Sequence, residues 1–102
     1  MAKNRLELQT LLEELLGSRN VYFQPPQNVK LRFPCIIYDF AKFQTTKADN
    51  KDYLRSKRYD VLLIHNDPDN GIVEKLEDLD YCDLDRSYKS DNLYHYAFTL
   101  FF

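Results

Sequence analysis

The last ten residues, 93–102, limit most strongly what this chain can fold into. They read Leu-Tyr-His-Tyr-Ala-Phe-Thr-Leu-Phe-Phe. Aromatic and β-branched side chains fit a pleated, half-buried surface, so the segment predicts a strand built into a sheet. An apolar strand promotes aggregation unless its edge and outer face are covered by the same domain or by a neighbouring subunit. We therefore expect this protein to assemble with other protein.

A helix is predicted near the N-terminus, because apolar residues recur there at spacings of three and four with acidic and amide side chains between them. The apolar stripe consists of Leu8, Leu11, Leu12, Leu15 and Leu16. Asn4 is placed to cap this helix, with Glu7 three residues later, and Gly17 supplies a left-handed end. An acidic polar face is unlike that of a membrane-surface helix, so we expect the helix to pack on a sheet.

The next segments have strand patterns separated by turn signals. Strands are predicted at residues 21–23, 33–40 and 55–65, and the polar residues 42–52 are interpreted as a long hairpin whose mobile tip is 45–50. A second helix is expected, with Asp67 as its cap and Pro68 as its first residue. Its apolar side is formed by Ile72, Val73, Leu76 and Leu79. A shorter polar strand or extended link is expected at residues 81–88, and a turn at 89–92.

Together these elements predict a single domain spanning residues 1–102, a length that suits one compact core. The predicted fold class is α+β, with a mostly antiparallel sheet and two helices packed on it. Fourteen basic against sixteen acidic residues leave a formal charge of −2. Proteins that neutralise phosphates carry an excess of positive charge, so nucleic-acid binding is not favoured. The sequence suggests neither a signal peptide nor a membrane span, and we expect a soluble protein made in a reducing cytoplasm.

The search for chemistry predicts no catalytic site, no cofactor and no metal. His65 and His95 stand in no metal-ligand or catalytic spacing. Cys35 and Cys82 lie far apart among apolar neighbours, which favours buried free thiols over a disulfide or a nucleophile. Two glycines in all could hardly form a phosphate-binding loop.

The aspartates need a separate judgement, since several lie between positions 67 and 85. The run from Asp67 to Gly71 lacks the order and the twelfth-position glutamate of a calcium loop, so we interpret it as turn and cap chemistry. Asp80, Asp83 and Asp85 have no histidine or lysine placed as in a nuclease, which leaves a metal-dependent phosphodiesterase as a minor alternative.

Basic residues of the 55–65 strand lie beside tyrosines, a combination that also occurs on surfaces that bind single-stranded nucleic acid by stacking its bases. Alternation places Arg55 and Lys57 on the Tyr59 side and Arg58 on the other. We therefore favour a solvated hairpin stem or a charged subunit contact, since charges on exposed strands also prevent unwanted pairing.

Several segments together resemble small proteins of phages and prophages of Gram-positive bacteria that are encoded among the head–tail connection and tail genes. The segments are 4–9, 16–26, 33–38, 58–59, 81–86, 90–93 and 98–102. The runs GSRNVYFQPP (17–26) and DNL…FTLFF (91–93 and 98–102) are the most specific. The chain is similar over nearly its whole length to the tail terminator, or tail completion, group.

This resemblance implies an α+β, tail-terminator-like domain without an active site. Such proteins form a hexameric ring that caps the tail tube, stops its polymerisation and joins it to the head connector, leaving a hole through which DNA passes without specific binding. The expected partners are therefore further copies of the chain, the tail tube protein and the head connector or head-closure protein. The expected location is the tail or neck of the virion, after assembly in the cytoplasm of the bacterial host.

The hairpin and the aromatic terminal strand are the predicted contact regions, because mobile loops on a rigid scaffold carry binding and aromatic residues enrich interface cores. The candidate contact residues are Thr45, Thr46, Lys47, Arg55, Lys57, Tyr94, Tyr96, Phe98 and Phe102. A weaker hypothesis places acidic residues of 74–85 along the channel. The alternatives that stay open are a head-closure or neck protein and a small monomeric phage-encoded binding module.

Overall fold

The structure is a computed structural model that describes residues 4–48 and 51–102, with side chains described for 4–42 and 57–102. Two helices and five strands follow one another along the chain. They are α1 (Arg5–Leu16), β1 (Val21–Phe23), β2 (Cys35–Ala48), β3 (Lys51–His65), α2 (Ile72–Glu77), β4 (Cys82–Ser90) and β5 (Leu93–Phe101). The predicted α+β class and element order are confirmed.

The five strands form one sheet in the order β1-β2-β3-β5-β4. The short β1 pairs in parallel with β2, and every other neighbouring pair is antiparallel. The terminal strand β5 therefore lies inside the sheet, between β3 and β4, and both of its edges are paired within the chain. The sequence left open whether the same domain or a neighbouring subunit covers the edges of this strand. In the structure the same domain covers them.

Helix α1 begins and ends where its local signals predict. The Asn4 side chain accepts a hydrogen bond from the Leu6 amide at 2.8 Å, which satisfies one of the free donors of the first turn. Gly17 has φ +81° and its amide donates to the Glu13 carbonyl. A residue without Cβ adopts this left-handed conformation at little cost.

The start of α2 differs from the prediction. The helix begins at Ile72, and the Asn70 side chain accepts from the Ile72 amide at 3.0 Å and from the Val73 amide at 3.4 Å. Asp67 instead accepts from the Asp69 amide at 2.9 Å. The predicted cap at Asp67 is therefore wrong, because its carboxylate closes a local turn that precedes the helix.

The core lies between the helices and one face of the sheet. Leu8, Leu12 and Leu16 of α1 and Leu76 of α2 pack in one cluster with alternating residues of the strands. The strand members of this cluster are Val21, Ile36, Tyr38, Tyr59, Val61, Leu63, Cys82, Phe98 and Leu100. Because successive side chains of a strand point to opposite faces, both helices cover the same side of the sheet.

The long hairpin is confirmed, but its polar arms are strands and not a loop. The β2–β3 ladder continues from Lys42↔Arg58 to Ala48↔Lys51, with register shifts at Phe40/Lys42 and Thr46/Lys47. Residues 45–48, predicted as part of the tip, lie in the ladder instead, since backbone pairing requires no apolar period. Residues 49 and 50, the rest of that predicted tip, lie outside the described residues.

The turn before the terminal strand is tighter than predicted, because β4 extends to Ser90. Asp91 and Asn92 have φ +54° and +62°. Positive φ at both central residues is typical of the two-residue turns that match the twist of a hairpin. In the part of the chain that the structure describes, no helix is long and apolar enough to cross a membrane.

Candidate interaction surface

The sheet presents one face to the helices and a second face, here called the open face, on which neither helix packs. The open face is formed by residues that alternate with those of the core. Its central residues are Ile37, Asp39, Arg58, Asp60, Leu62, His95, Ala97 and Thr99. All of them are half-buried or exposed, and none belongs to the core cluster. At one end of this face, by contrast, Cys35 and Ile64 are buried.

A transverse row of carboxylates crosses the open face. Asp39 of β2 is the register partner of Asp60 of β3, which is in turn the partner of Thr99 of β5. Thr99 pairs with Asp83 of β4, and its hydroxyl donates to the Asp85 carboxylate at 2.5 Å. Acidic side chains from three strands thus lie at one level of the sheet, and we call Asp39, Asp60, Asp83 and Asp85 the acidic row.

The acidic row is only partly neutralised. The Arg58 guanidinium lies 3.5 Å from the Asp60 carboxylate, whereas Asp39 has no side-chain hydrogen bond or ion pair with any residue that the structure describes. Like charges directly opposite each other on neighbouring strands destabilise a sheet.

A shallow depression of about 330 Å³ lies beside the acidic row. It combines carboxylates with apolar side chains and one guanidinium. Its lining includes Ile37, Asp39, Asp60, Leu62, Asp85 and Arg86. In a contact with another protein, the apolar part of such a depression would supply burial and the charges would supply selectivity.

The edge strand β4 closes one side of the open face with a stacked group. The rings of Tyr88 and His95 are 4.8 Å apart and nearly parallel, at 10°. The Arg86 guanidinium lies 5.3 Å from the centre of the Tyr88 ring. After Cys82 every residue of β4 is exposed, and a register shift lies between Leu84 and Arg86. Charges and a bulge on an edge strand discourage unspecific pairing.

The extension of the hairpin beyond the sheet is the second candidate surface. Strand β5 accompanies β3 only as far as Lys57, whose backbone exchanges hydrogen bonds of 3.1 and 2.9 Å with Phe102. Beyond that point β2 and β3 pair only with each other, and we call residues 43–48 with 51–56 the ribbon. Because each residue adds about 3.3 Å, the ribbon extends roughly 20 Å.

Four predicted contact residues lie in the ribbon. Thr45 pairs with Arg55, Thr46 with Leu54 and Lys47 with Asp52, while the side chains of these residues lie outside the described ones. Lys57 is half-buried at the base of the ribbon. The structure therefore brings Thr45, Thr46, Lys47 and Arg55 onto the ribbon, with Lys57 at its base.

The predicted contact residues of the terminal strand are placed differently. Phe98 is 1 % exposed and belongs to the core of its own chain, so its prediction as a partner contact is wrong. Its side chain packs in the core, between the sheet and the helices. Tyr96 and Phe102 are half-buried against the same core, and the Lys89 amino group lies 5.5 Å from the centre of the Tyr94 ring.

The two thiols are free and buried, as predicted. Burial raises the pKa of Cys35 from 9.0 to about 11, and burial with the nearby Asp83 carboxylate raises the pKa of Cys82 to about 11. Thiols with such pKa values are protonated at neutral pH, which makes them weak nucleophiles. Among the side chains that the structure describes, those of 4–42 and 57–102, no three of His, Cys, Asp or Glu are grouped to hold a metal ion.

Sequence reasoning missed the acidic row. Alternation along each strand assigns Asp39 and Asp60 to the side opposite the core, but the level at which they meet depends on the register between strands. The bulge at Leu84/Arg86, which brings Asp85 to Thr99, leaves no signal in the sequence that we can identify.

The comparison with known proteins adds no assignment. No protein-family model matches the chain, and no curated protein has a sequence that matches it.

Proposed function

We propose that this protein is a structural tail terminator, or tail completion protein, of a phage or prophage. As a ring, it caps the tail tube, stops its polymerisation and joins it to the head connector. It acts through shape and contact and makes or breaks no bond. The tail tube protein, the head connector protein and further copies of the chain are its partners.

The observation that carries this proposal is the pair of extended surfaces, suited to protein contacts, on so small a chain. The open face exposes a broad area of sheet next to a shallow depression, and the ribbon protrudes from the body. A protein that binds two rings of other subunits needs such surfaces on more than one side. The resemblance of the GSRNVYFQPP and DNL…FTLFF segments to tail completion proteins supports the choice of partners.

The mechanism is geometric. In a ring each subunit contacts the next through two different patches, and the contact closes when its rotation is right and otherwise gives an open filament. One surface of the closed ring binds the last ring of the tube and blocks further addition. The other surface accepts the neck, while the central hole lets DNA pass.

Electron microscopy of the purified protein mixed with tail tubes tests the proposal directly. We expect density at one end of each tube and no further growth when tube protein is added. Tubes that keep both ends bare and continue to lengthen would contradict it.

A head-closure or neck protein is the first alternative, and the same experiment distinguishes it. A head-closure protein would bind DNA-filled heads and leave isolated tubes uncapped. The second alternative is a small monomeric phage-encoded binding module. Size-exclusion chromatography with light scattering would then give the mass of one chain, and the protein would fail to cap tubes at any concentration.

The ribbon is proposed as one of the contacts of this ring or of the tube. Deletion of residues 45–50 should abolish ring formation or change tail length. Tails of normal number and length assembled by this variant would remove the ribbon from the mechanism. Thermal unfolding at an unchanged temperature would show that the body of the variant is folded and that the effect is local.

Acidic residues between 74 and 85 are proposed to line the channel, where negative charge would let DNA slide without sticking. Glu74, Glu77 and Asp78 are exposed on and beside α2. Charge reversal at Glu77 and Asp78 should slow DNA ejection or packaging. Unchanged rates of both would exclude this part of the proposal.

A further inference from the structure

Asn70 differs from every other asparagine of the chain because a glycine follows it. The residues that follow the other asparagines all carry a side chain, and they are Arg5, Val21, Val29, Lys51, Asp67 and Leu93. Asparagine is chemically labile, since the next backbone nitrogen can attack the carbon of its side-chain amide. A glycine nitrogen approaches that carbon most easily, because no Cβ stands beside it. The pair Asn70–Gly71 is therefore the place where the sequence is most open to this reaction.

The fold holds the Asn70 side chain at both ends. Its Oδ1 accepts hydrogen bonds from the Ile72 amide at 3.0 Å and the Val73 amide at 3.4 Å. Its Nδ2 donates to the Asp67 carbonyl at 2.8 Å. Gly71 is exposed, so water reaches the site. Turning the side chain towards the Gly71 nitrogen would break these hydrogen bonds, and the cap of α2 therefore opposes the reaction.

We propose that Asn70 is a site of spontaneous covalent modification, at which asparagine becomes aspartate or isoaspartate at a rate that the cap of α2 limits. The reaction takes place when the cap is open. It needs water and no enzyme, and the rest of the reacting atoms belong to residues 70 and 71.

The reaction has two steps. In the first, the Gly71 nitrogen forms a bond to Cγ of Asn70, the bond from Cγ to Nδ2 breaks, and Nδ2 leaves as ammonia with the proton that the Gly71 nitrogen loses. In the second, water opens the resulting cyclic imide, giving its hydroxyl to a carbonyl carbon and a proton to the Gly71 nitrogen. Attack at Cγ yields aspartate, and attack at the main-chain carbonyl carbon yields isoaspartate.

Both products weaken the start of α2. Aspartate keeps an acceptor for the Ile72 and Val73 amides but has no N–H for the Asp67 carbonyl, and it adds a negative charge to a turn that already holds Asp67 and Asp69. Isoaspartate adds a methylene group to the main chain, which changes the spacing on which the cap depends. Leu76 of this helix is 0 % exposed in the core, so a loosened α2 reduces the stability of the whole chain.

Mass spectrometry of peptides from the full chain tests the site. The protein would be incubated in mildly alkaline buffer, folded and in urea, and the conversion at Asn70 followed with time. The free energy of a side-chain cap corresponds to about a fivefold preference for the closed cap, so conversion in the folded chain should be slower by about fivefold or more. In urea, Asn70 should convert faster than Asn92, which precedes Leu93.

Gly71→Ala is the matched variant. Gly71 has φ −87°, and a Cβ at this position meets no atom within 4 Å, so alanine fits the fold. Its Cβ hinders attack by the nitrogen and should suppress conversion at Asn70, both in the folded chain and in urea. Circular dichroism would show that the variant is folded.

Each outcome bears on one part of the inference. A chain in urea in which Asn70 lasts as long as Asn92, or a Gly71→Ala variant that converts at the original rate, would overturn the site. Equal rates with and without urea would overturn the role of the cap. Ion exchange would separate the modified chain by its added charge, and a urea midpoint no lower than that of the unmodified chain would overturn the effect on α2.

Discussion

The two faces of the sheet differ in burial and in residue type, although the same strands form both. On the helix side, Tyr38, Leu63 and Phe98 are almost completely buried. On the open face, the residues that alternate with them are aspartates, small residues and half-buried aliphatic side chains. An antiparallel sheet commonly has one face on the core and a polar face towards solvent, and this sheet follows that division. This difference leads to four predictions, which run from the largest expected effect to the smallest.

Two neighbouring leucines of β3 give the sharpest comparison, because Leu63 is 0 % exposed in the core whereas Leu62 is half-buried on the open face. Leu63→Ala should lower the free energy of unfolding by about 2–5 kcal/mol, since it leaves a cavity under the helices. Leu62→Ala should lower it by about 1 kcal/mol or less, as its side chain is still partly in contact with water. Chemical denaturation would measure both, and equal losses would mean that the open face is covered within the chain.

The two buried thiols compare the core with the buried end of the open face. Cys82 belongs to the core, and Cys35 lies at that end of the open face. The pKa of each is raised in the folded chain to about 11 from 9.0. Their contribution to stability is complete below the unfolded pKa and is lost as the pH rises towards the folded pKa. Between those two values the loss for each thiol is about 1.4 kcal/mol per pH unit.

Thermal unfolding between about pH 8 and pH 11 would reveal this loss. Cys35→Ala and Cys82→Ala should each make the decline less steep, by similar amounts. Tyr38, Tyr59 and Tyr96, whose pKa values burial also raises, would contribute to the decline that remains. A variant at Cys35 with an unchanged slope would show that this end of the open face admits water.

Two tyrosines differ in whether their hydroxyl group makes a side-chain hydrogen bond. The Tyr38 hydroxyl accepts from the Arg5 guanidinium at 3.2 Å and donates to the Gln9 side chain at 2.5 Å, which ties α1 to β2. Tyr38→Phe should cost about 1–2 kcal/mol because two polar groups lose their partner. Tyr88 is 42 % exposed, and its hydroxyl has no hydrogen bond to any residue in the ranges 4–42 and 57–102, where side chains are described.

Tyr88→Phe is therefore the control, with an expected change of about 0.5 kcal/mol or less. Urea titrations of both variants would give the two values. If the Tyr88 variant lost as much as the Tyr38 variant, the Tyr88 hydroxyl would have a partner in the folded chain.

The smallest effect is expected at the acidic row itself. Asp39→Asn removes one of two opposed charges and should raise the free energy of unfolding by about 0.2–1 kcal/mol. The gain should shrink at high salt, because exposed charges are screened there. Unfolding in roughly 50 mM and 500 mM salt, concentrations that differ by about threefold in Debye length, would check the sign and the salt dependence. A loss of stability would mean that Asp39 has a partner in the folded chain.

Local signals predicted the parts of this fold that local interactions determine. The cap at Asn4 and the end at Gly17 were correct because a cap needs only a few neighbouring residues. The cap at Asp67 failed because a turn and a helix start use the same side-chain chemistry, and Asn70 was nearer to the helix. The arms of the ribbon were mistaken for a loop because their pairing is between backbones and leaves no apolar period.

The candidate surface was predicted only in part. Thr45, Lys47 and Arg55 were correctly placed together on one hairpin, since a hairpin joins residues that are close in sequence. Phe98 was misplaced, because an aromatic side chain on a strand is equally suited to an interface and to a core. The acidic row was not found at all, as it unites strands that are distant in the chain.

By itself, the sequence determined the number, kind and order of the helices and strands and the caps of α1. Each of these depends on neighbouring residues or on simple composition. The tertiary structure alone decided that the last strand lies inside the sheet, that both helices cover one face, and that aspartates from separate strands meet on the other. Those features depend on which strands pair and in what register, and that choice is made by the burial of the whole core and not by any single segment.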